Sequence, residues 1–402
     1  MKLAIVTPYP PSKTTLNEYA YHLVKHFDQN EDISEIILMT DELPAGESYQ
    51  LEDSLQKVKI KVCWKFNGWT NIRRIAKAIK ETKPDVVLYN LQFLSFGDAK
   101  IPATLGLLSP YWSKITGTPS TVLLHNIIET VDLDKAGITG NKLLTKFFMF
   151  AGTITTKLIL NANKVALTIP KYVDIIEAKY KAKNVVHMPH GTFEIPEEPA
   201  YSHGPQDTMK VMTFGKFGTY KKVEMMIEAV EKIRQRVNKK IEIVIAGTDN
   251  PNVPGYLDNV AKKYSHVPDM TFTGYVAEED VPRIFKESTA VVFPYNSTTG
   301  SSGVLHQAGS YGKATVLPLL GDLKELTEEE GYGGAYFKYD DVDDMAAAIE
   351  KILVDDEFRV AIEQQNFKAA SMLSMSEIAK RYVDLFKTQI GQETKEGAMA
   401  IA

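Results

Sequence analysis

Short apolar runs alternate along the whole chain with longer stretches whose apolar positions recur at helical spacing. The segment 2–7 reads as a buried strand and ends in Pro8-Tyr9-Pro10-Pro11. A helix is predicted from about Leu16 to Phe27, because Leu16, Tyr19, Ala20, Leu23, Val24 and Phe27 share one face. Further strands are predicted at 36–39, 58–62, 86–89, 120–124 and 164–168, with helices between them, notably 72–82 before Pro84. Strands that are continuously apolar and separated by helices make a parallel, doubly wound α/β sheet.

From Pro189 to Asp207 this pattern stops. Pro189, Pro196, Pro199 and Pro205, with Gly191 and Gly204, replace periodicity, and 191–208 is read as an interdomain linker. Alternation then restarts, with strands at 211–214, 241–246, 270–273, 290–293, 314–317 and 334–337. Helices are predicted at 223–237, 256–264, 279–287, after Gly303, at 342–354 and at 358–372. The division is therefore 1–190, the linker, and 209–375, followed by 376–402, an amphipathic helix at 377–390 and a tail, expected to cross back to the first domain. A chain of 402 residues exceeds what one core usually supports, which agrees with two domains.

The most informative stretch is 293–312, FPYNSTTGSSGVLHQAGSYG. A buried strand leads through a loop of small residues, Ser297 to Gly303, into a helix marked by Val304, Leu305, Ala308 and Tyr311. The first backbone N–H groups of such a helix lack partners and attract anions such as phosphate. A tight strand-to-helix turn explains the glycines and serines alone, and no GK[ST] follows, so this is no P-loop. Thr213 to Lys222 adds a strand ending in Gly215 and two cations, Lys216 and Lys221, five positions apart. His125 directly follows the strand 120–124, at the mouth of a sheet where ligands bind.

Two α/β halves, a proline-rich linker and this order of motifs resemble the GT-B architecture, and specifically the retaining family 4 glycosyltransferases (glycosyl transferases group 1), over nearly the whole chain. The resemblance implies two Rossmann-like domains with a cleft between them. It implies that Lys216 and Lys221, at the family's arginine and lysine positions after Gly215, bind the donor diphosphate. The anchor stretch is similar to the family's Glu-x7-Glu motif, and alignment on Ala308 and Gly312 puts Thr299 and Gln307 where the carboxylates stand. Neither is acidic. Gln307 is then expected at the ribose, Thr299, Ser301 or Ser302 at sugar hydroxyls, and the backbone of Ser302, Gly303 and Val304 at the diphosphate. The family histidine beside the transferred sugar maps to His125. Lys13, Thr14 and Thr15 occupy the loop where the family carries a glycine pair, and serve donor or acceptor.

The reaction so implied moves a hexosyl group from a UDP- or GDP-sugar to a hydroxyl of a glycan, lipid-linked glycan or small molecule, with retention and without a metal or other cofactor. The missing carboxylates leave a second reading open, a nucleotide-sugar-binding subunit of a glycosylation complex that has lost catalysis.

Charge and composition narrow this further. The net charge of −5 divides unevenly: 23 Lys and Arg against 18 Asp and Glu over residues 1–190, giving +5, and 23 against 33 thereafter, giving −10. A basic first half suits an anionic acceptor or a membrane surface, and nothing resembles a nucleic-acid binder. Cys63 is the only cysteine, which excludes an intrachain disulfide and a thiolate zinc cluster and fits a cytoplasmic protein. The opening strand is too short for the apolar region of a signal peptide. The apolar stretch 147–156 falls well short of the roughly 20 residues a membrane span needs. The surrounding segment, 141–160, reads either as a buried helix or as an interfacial helix in peripheral contact with a membrane. Asp341-Val342-Asp343 spells a metal-binding DxD, but before a helix it reads as a cap. His22, His26, His203 and His266 read as structural, and His187 and His190 as part of a hinge.

Overall fold

The computed structural model describes residues 1–130, 142–202, 208–297 and 302–391. They form two compact units: residues 1–130 and 142–193 with the chain from Met375 onward, and residues 194–374.

In the first unit the elements are β1 (Lys2–Val6), α1 (Asn17–Gln29), β2 (Glu35–Asp41), β3 (Val58–Trp64), α2 (Asn71–Thr82), β4 (Val86–Leu91), α3 (Lys100–Leu107), α4 (Ser109–Ile115), β5 (Ser120–Leu124), α5 (Lys142–Ile159), β6 (Lys164–Leu167), α6 (Pro170–Tyr180) and β7 (Val185–His187). The strands form one parallel sheet in the order β3-β2-β1-β4-β5-β6-β7. The order reverses between β1 and β4, the place where such sheets bind ligands at the carboxyl ends of their strands.

The second unit repeats the plan with β8 (Thr208–Phe217), α7 (Glu224–Arg234), β9 (Lys240–Asp249), α8 (Tyr256–Lys263), β10 (Met270–Phe272), α9 (Val281–Glu287), β11 (Ala290–Val292), α10 (Gly303–Ser310), β12 (Ala314–Pro318), α11 (Gly321–Glu329), β13 (Ala335–Phe337), α12 (Val342–Val354) and α13 (Asp356–Met372). Its parallel order is β10-β9-β8-β11-β12-β13, with the switch between β8 and β11. Alternation splits the strand residues between two cores. Met209, Val211, Ile243 and Val292 face one layer with α7 and α12, while Met212, Val291, Phe293 and Leu317 face the other with α10.

The last helix, α14 (Met375–Gln389), belongs to the first unit. Met375, Ile378, Tyr382 and Phe386 recur at helical spacing and join the core of β1, β2 and α1. Tyr382 and Phe386 lie 6.3 and 6.1 Å from Phe27 between ring centroids, and Lys387 pairs with Asp32.

The sequence reading puts helices between the strands but gives no bounds for α3 and α4, and it lacks α6, α11 and the strand β7. The two short helices α3 and α4 carry Pro102, Gly106 and Pro110, which argue for a loop when the sequence stands alone. β7 has three residues, too few for a pattern to register.

Phe386 is fully buried. Its replacement by alanine is expected to cost about 3–5 kcal/mol, read as earlier urea unfolding of the amides of β1, α1 and α14 by hydrogen exchange. A loss below about 1 kcal/mol would mean that α14 is not part of this core.

Candidate functional site

At the first switch point, the loop after β1 is tied down by a buried acid. Asp41, at the end of β2, accepts hydrogen bonds from Ser12 Oγ (2.6 Å), Thr14 Oγ1 (3.2 Å) and Tyr49 Oη (2.8 Å). Thr14 was expected to face donor or acceptor, but its hydroxyl is committed to Asp41. Lys13 and Thr15 are exposed. The loop's left-handed residue is Leu16, with φ +78° at the N-terminus of α1. A bulky residue there stores strain of order 1–3 kcal/mol that a glycine would not.

His125 leaves β5 with its backbone N–H donating to Leu91 O. Its ring is oriented by a relay through the interior. Thr7 donates its hydroxyl to Pro8 O (2.9 Å), so its oxygen accepts from Asn90 Nδ2 (3.1 Å), which turns Asn90 Oδ1 toward His125 Nε2 at 2.7 Å. A carbonyl oxygen only accepts, so Nε2 carries the proton and Nδ1 keeps a lone pair. Burial, and then the neighbouring His190, hold the imidazole well below its ordinary pKa, so the ring is neutral at pH 7. Tyr19 packs edge-on against both rings, 4.6 Å from His125 and 4.9 Å from His190. His190 is therefore part of this cluster, a placement that the hinge reading missed. His187 ends β7, and His22 stacks on Phe193 at 4.4 Å.

At the second switch point, β8 does not stop at Gly215 as the sequence suggested. It continues to Phe217, paired with β9 through Gly215–Gly247 and Lys216–Thr248. Gly215 adopts φ +138°, a conformation that L side chains avoid, and fully buried Phe217 anchors the extension in the core. Lys216 consequently sits on a strand and is exposed, not on a helix start.

Lys221 lies differently. It is 9% exposed, and no carboxylate pairs with it among the described residues. Burial lowers its pKa. Its Nζ lies 4.8 Å from the ring centroid of Tyr295 and 5.9 Å from that of Tyr220. A Cβ on Gly215 would stand 2.7 Å from the same Nζ, so only glycine lets the ammonium lie over the backbone. The segments after β8 and β11 are zipped together here: Lys221 bridges Tyr295, Lys222 N donates to Pro294 O (2.9 Å), and Asn296 N donates to Tyr220 O (3.0 Å).

The buried hydroxyl of Tyr295 interacts with the Ser302 side chain, which brings Lys221 and the start of α10 into one neighbourhood. Ser302 is the N-cap residue in extended conformation without a side-chain capping bond. The N–H groups of Gly303 and Val304 fall in the first turn, where no intrahelical carbonyl reaches them. Gln307 is half-buried one turn further on. Thr299 and Ser301 lie outside the described residues. Asp341 caps α12 by accepting from Asp344 N (2.9 Å), and Asp343 pairs with Lys232.

The other face of α10 carries a group that the sequence did not single out. His306 is buried, with Nδ1 2.9 Å from Tyr332 Oη and Nε2 3.5 Å from Glu330 Oε2. Burial, then the charge of Glu329, pushes the Glu330 carboxyl up to about 8. The contact with His306 is at the far limit of a hydrogen bond and does not offset that burial. No spacing in the sequence relates position 306 to 330, so only the fold reveals the pair.

Residues 208–355 match the family model described as Glycosyl transferases group 1. An uncharacterized glycosyltransferase of Methanocaldococcus jannaschii, MJ1607, is 29% identical over 189 residues, covering 46% of this chain and 47% of its own. The chain thus spans about half the length of that curated relative. Among solved structures, Anabaena Alr3699/HepE in complex with UDP superposes with a TM-score of 0.68 at 14% identity, over 96% of this chain and 99% of that one. Sucrose-phosphate synthase from Thermosynechococcus elongatus gives 0.72 at 14%, over 97% and 99%. The fold is GT-B, with two Rossmann-like units of parallel sheet.

Two measurements test these assignments. Nitrogen NMR of the His125 ring should report a single Nε2–H tautomer at neutral pH. Asn90→Leu should release it, and Asn90→Asp should raise its pKa by placing a carboxylate at Nε2. An Nδ1–H ring in the unsubstituted protein would refute the relay. For Glu330, the folded-state pKa lies above the unfolded value, so folding stability is full at pH below about 4.5 and falls as pH rises through about 8. Glu330→Gln should flatten that decline in urea titrations across this range. A variant as pH-dependent as the parent would sink the assignment.

Proposed function

We propose that the protein is a glycosyltransferase that transfers a hexosyl group from a nucleoside diphosphate sugar to a hydroxyl acceptor. The observation that carries this is Lys221, a buried cation with no carboxylate paired to it among the described residues, placed over the backbone of Gly215 beside Tyr295 and the start of α10. This neighbourhood lies within the segment that matches the glycosyltransferase family.

As the bond from sugar C1 to the diphosphate oxygen breaks, negative charge collects on the leaving group, and its stabilisation is the main electrostatic task. Lys221, Lys216 and the N–H groups of Gly303 and Val304 supply that stabilisation. The acceptor oxygen bonds to C1 and its proton passes to a diphosphate oxygen, on the face that retains configuration. Because fixed lysines and a helix terminus answer the charge, the reading invokes no metal. Gln307 serves the ribose, and Thr299, Ser301 and Ser302 the sugar. His125 is assigned to a sugar hydroxyl, which its neutral ring meets through the Nδ1 lone pair. UDP is the favoured nucleotide because the Anabaena relative binds UDP and UDP-glucose, with GDP as the alternative. The enzyme is assigned to the cytoplasm, and its acceptor to the class of glycans, lipid-linked glycans or small hydroxylated molecules.

The absence of acids at Thr299 and Gln307 favours one second reading, a subunit that binds the nucleotide sugar without transferring it.

Thermal shift against UDP, GDP, ADP and their sugars, with chelator present, tests the site directly. A nucleotide at 100 times its dissociation constant adds about 2.7 kcal/mol of stability. Replacing Lys216 and Lys221 together by alanine should weaken binding by roughly 1.5–3 kcal/mol for each charged contact. Undiminished binding in the folded variant would overturn the lysine assignment. Binding with no transfer to any acceptor would favour the second reading.

A further inference from the structure

The turn between β3 and α2 holds large apolar side chains out in water on a rigid backbone. Trp69 is 64% exposed and Phe66 38%. The backbone under them is fixed twice. Fully buried Asn71 accepts from Lys65 N (3.0 Å) and donates to Lys65 O (2.8 Å). Asn67, left-handed at φ +60°, ties the turn to the segment after β4: its N–H donates to Phe96 O (2.8 Å), its Oδ1 accepts from Ala99 N (2.9 Å) and its Nδ2 donates to Asp98 (2.7 Å). A Cβ on Gly68 would stand 2.4 Å from Asn71 Oδ1, and one on Gly97 2.0 Å from Asn67 Oδ1. Beneath, buried Phe96 meets Trp64 at 5.0 Å. A loop built only to connect two elements has no need of such bracing.

The segment 92–99 joins this turn to the first switch point. It begins where Leu91 O receives His125 N, turns with Gln92 N on the buried Ser95 hydroxyl (2.7 Å), exposes Leu94 by 52%, and ends against Asn67. β3 lies four strands from β5 in the sheet. At roughly 4.8 Å per strand their ends stand about 19 Å apart, the length of several sugar rings.

We infer that the turn after β3 and the segment after β4 form a saccharide platform on which Trp69 stacks a sugar of the acceptor several rings away from the one that reacts. The inference rests on the transferase reading and narrows its acceptor to a glycan chain. A pyranose offers an apolar face of C–H groups, which an indole covers, and a rim of hydroxyls, which carboxylate, amide and guanidinium groups meet. Exposed Asp98, Asn67 and exposed Arg73, four positions after Trp69, supply those groups. Both signs of charge stand beside the rings, whereas an anionic membrane would call for cations alone. An aromatic side chain covers roughly 150–250 Å² when fully buried. The exposed parts of Trp69, Phe66 and Leu94 therefore fall well short of the roughly 800 Å² per partner that a stable dimer needs. Because the turn is already ordered, a ligand pays little to fix it.

The experiment is fluorine NMR of the full chain labelled with fluorotryptophan, titrated with maltoheptaose, cellohexaose and an oligomannose and with glucose and mannose. At least one oligosaccharide should shift the Trp69 resonance and leave that of buried Trp64 in place. Its monosaccharide should bind at least about tenfold more weakly, since it fills one subsite only. Trp69→Ala should weaken oligosaccharide binding about tenfold, and Trp69→Phe less. Asn67→Gly keeps the backbone conformation and removes the side-chain ties, so it should weaken binding about threefold with the indole intact. Nucleotide binding by thermal shift should be unchanged in all three variants. A Trp69 resonance that no oligosaccharide moves, affinity independent of chain length, or undiminished binding by Trp69→Ala would overturn the platform while leaving the transferase reading standing. Oligosaccharide binding in a chain that no nucleotide stabilises would support the platform and count against the transferase reading alone. Trp69→Ala dissociating an oligomer would give the face to a second copy of the chain and overturn the inference.

Discussion

The feature on which the second unit's architecture turns is a cation kept out of water with no carboxylate paired to it among the described residues. Burying an ammonium costs several kcal/mol unless something compensates. Around Lys221 the compensation is partial: two tyrosine rings and the backbone over Gly215. Cation–π contacts return about 2 kcal/mol or somewhat more where water is excluded. The arrangement nevertheless shapes its surroundings. Gly215 must lack a side chain, β8 must extend past it so that Phe217 anchors the turn, and the segment after β11 must bridge back to Lys221. The parts of this unit are thus fitted around an incompletely compensated charge.

Much of this plan was legible in the chain, and the exceptions have physical causes. Buried parallel strands are short apolar runs, so twelve of the thirteen stand out whatever surrounds them. The proximity of Lys221 and Ser302 was legible because each adjoins a strand end, and switch-point topology then makes neighbours of strands β8 and β11. The orientation of Lys216 was not legible. Glycine reads as a strand terminator in sequence, and only the ladder to β9 reveals that it is a kink passed through. Thr14 illustrates the same limit for hydroxyls. Its commitment to Asp41 spans 27 positions, and no local pattern encodes it.

The two units share one topology and differ in their electrostatics. In the first, the chain that orients His125 is made of neutral groups: a threonine hydroxyl, an asparagine amide and an imidazole held uncharged by burial and by a second histidine. Such a chain orients hydrogen bonds but cannot answer a full negative charge. In the second, the corresponding position carries lysines and a helix N-terminus, which answer charge but discriminate poorly among sugar hydroxyls. Neither chemistry substitutes for the other. If His125 were protonated, it would lose the lone pair at Nδ1 and gain a charge for which its neighbours, Tyr19 and His190, provide no partner. The separation lets each unit hold its groups in the protonation state its own task needs. It also explains why the first unit's histidine is kept so far from titration in a chain whose first half is otherwise cationic.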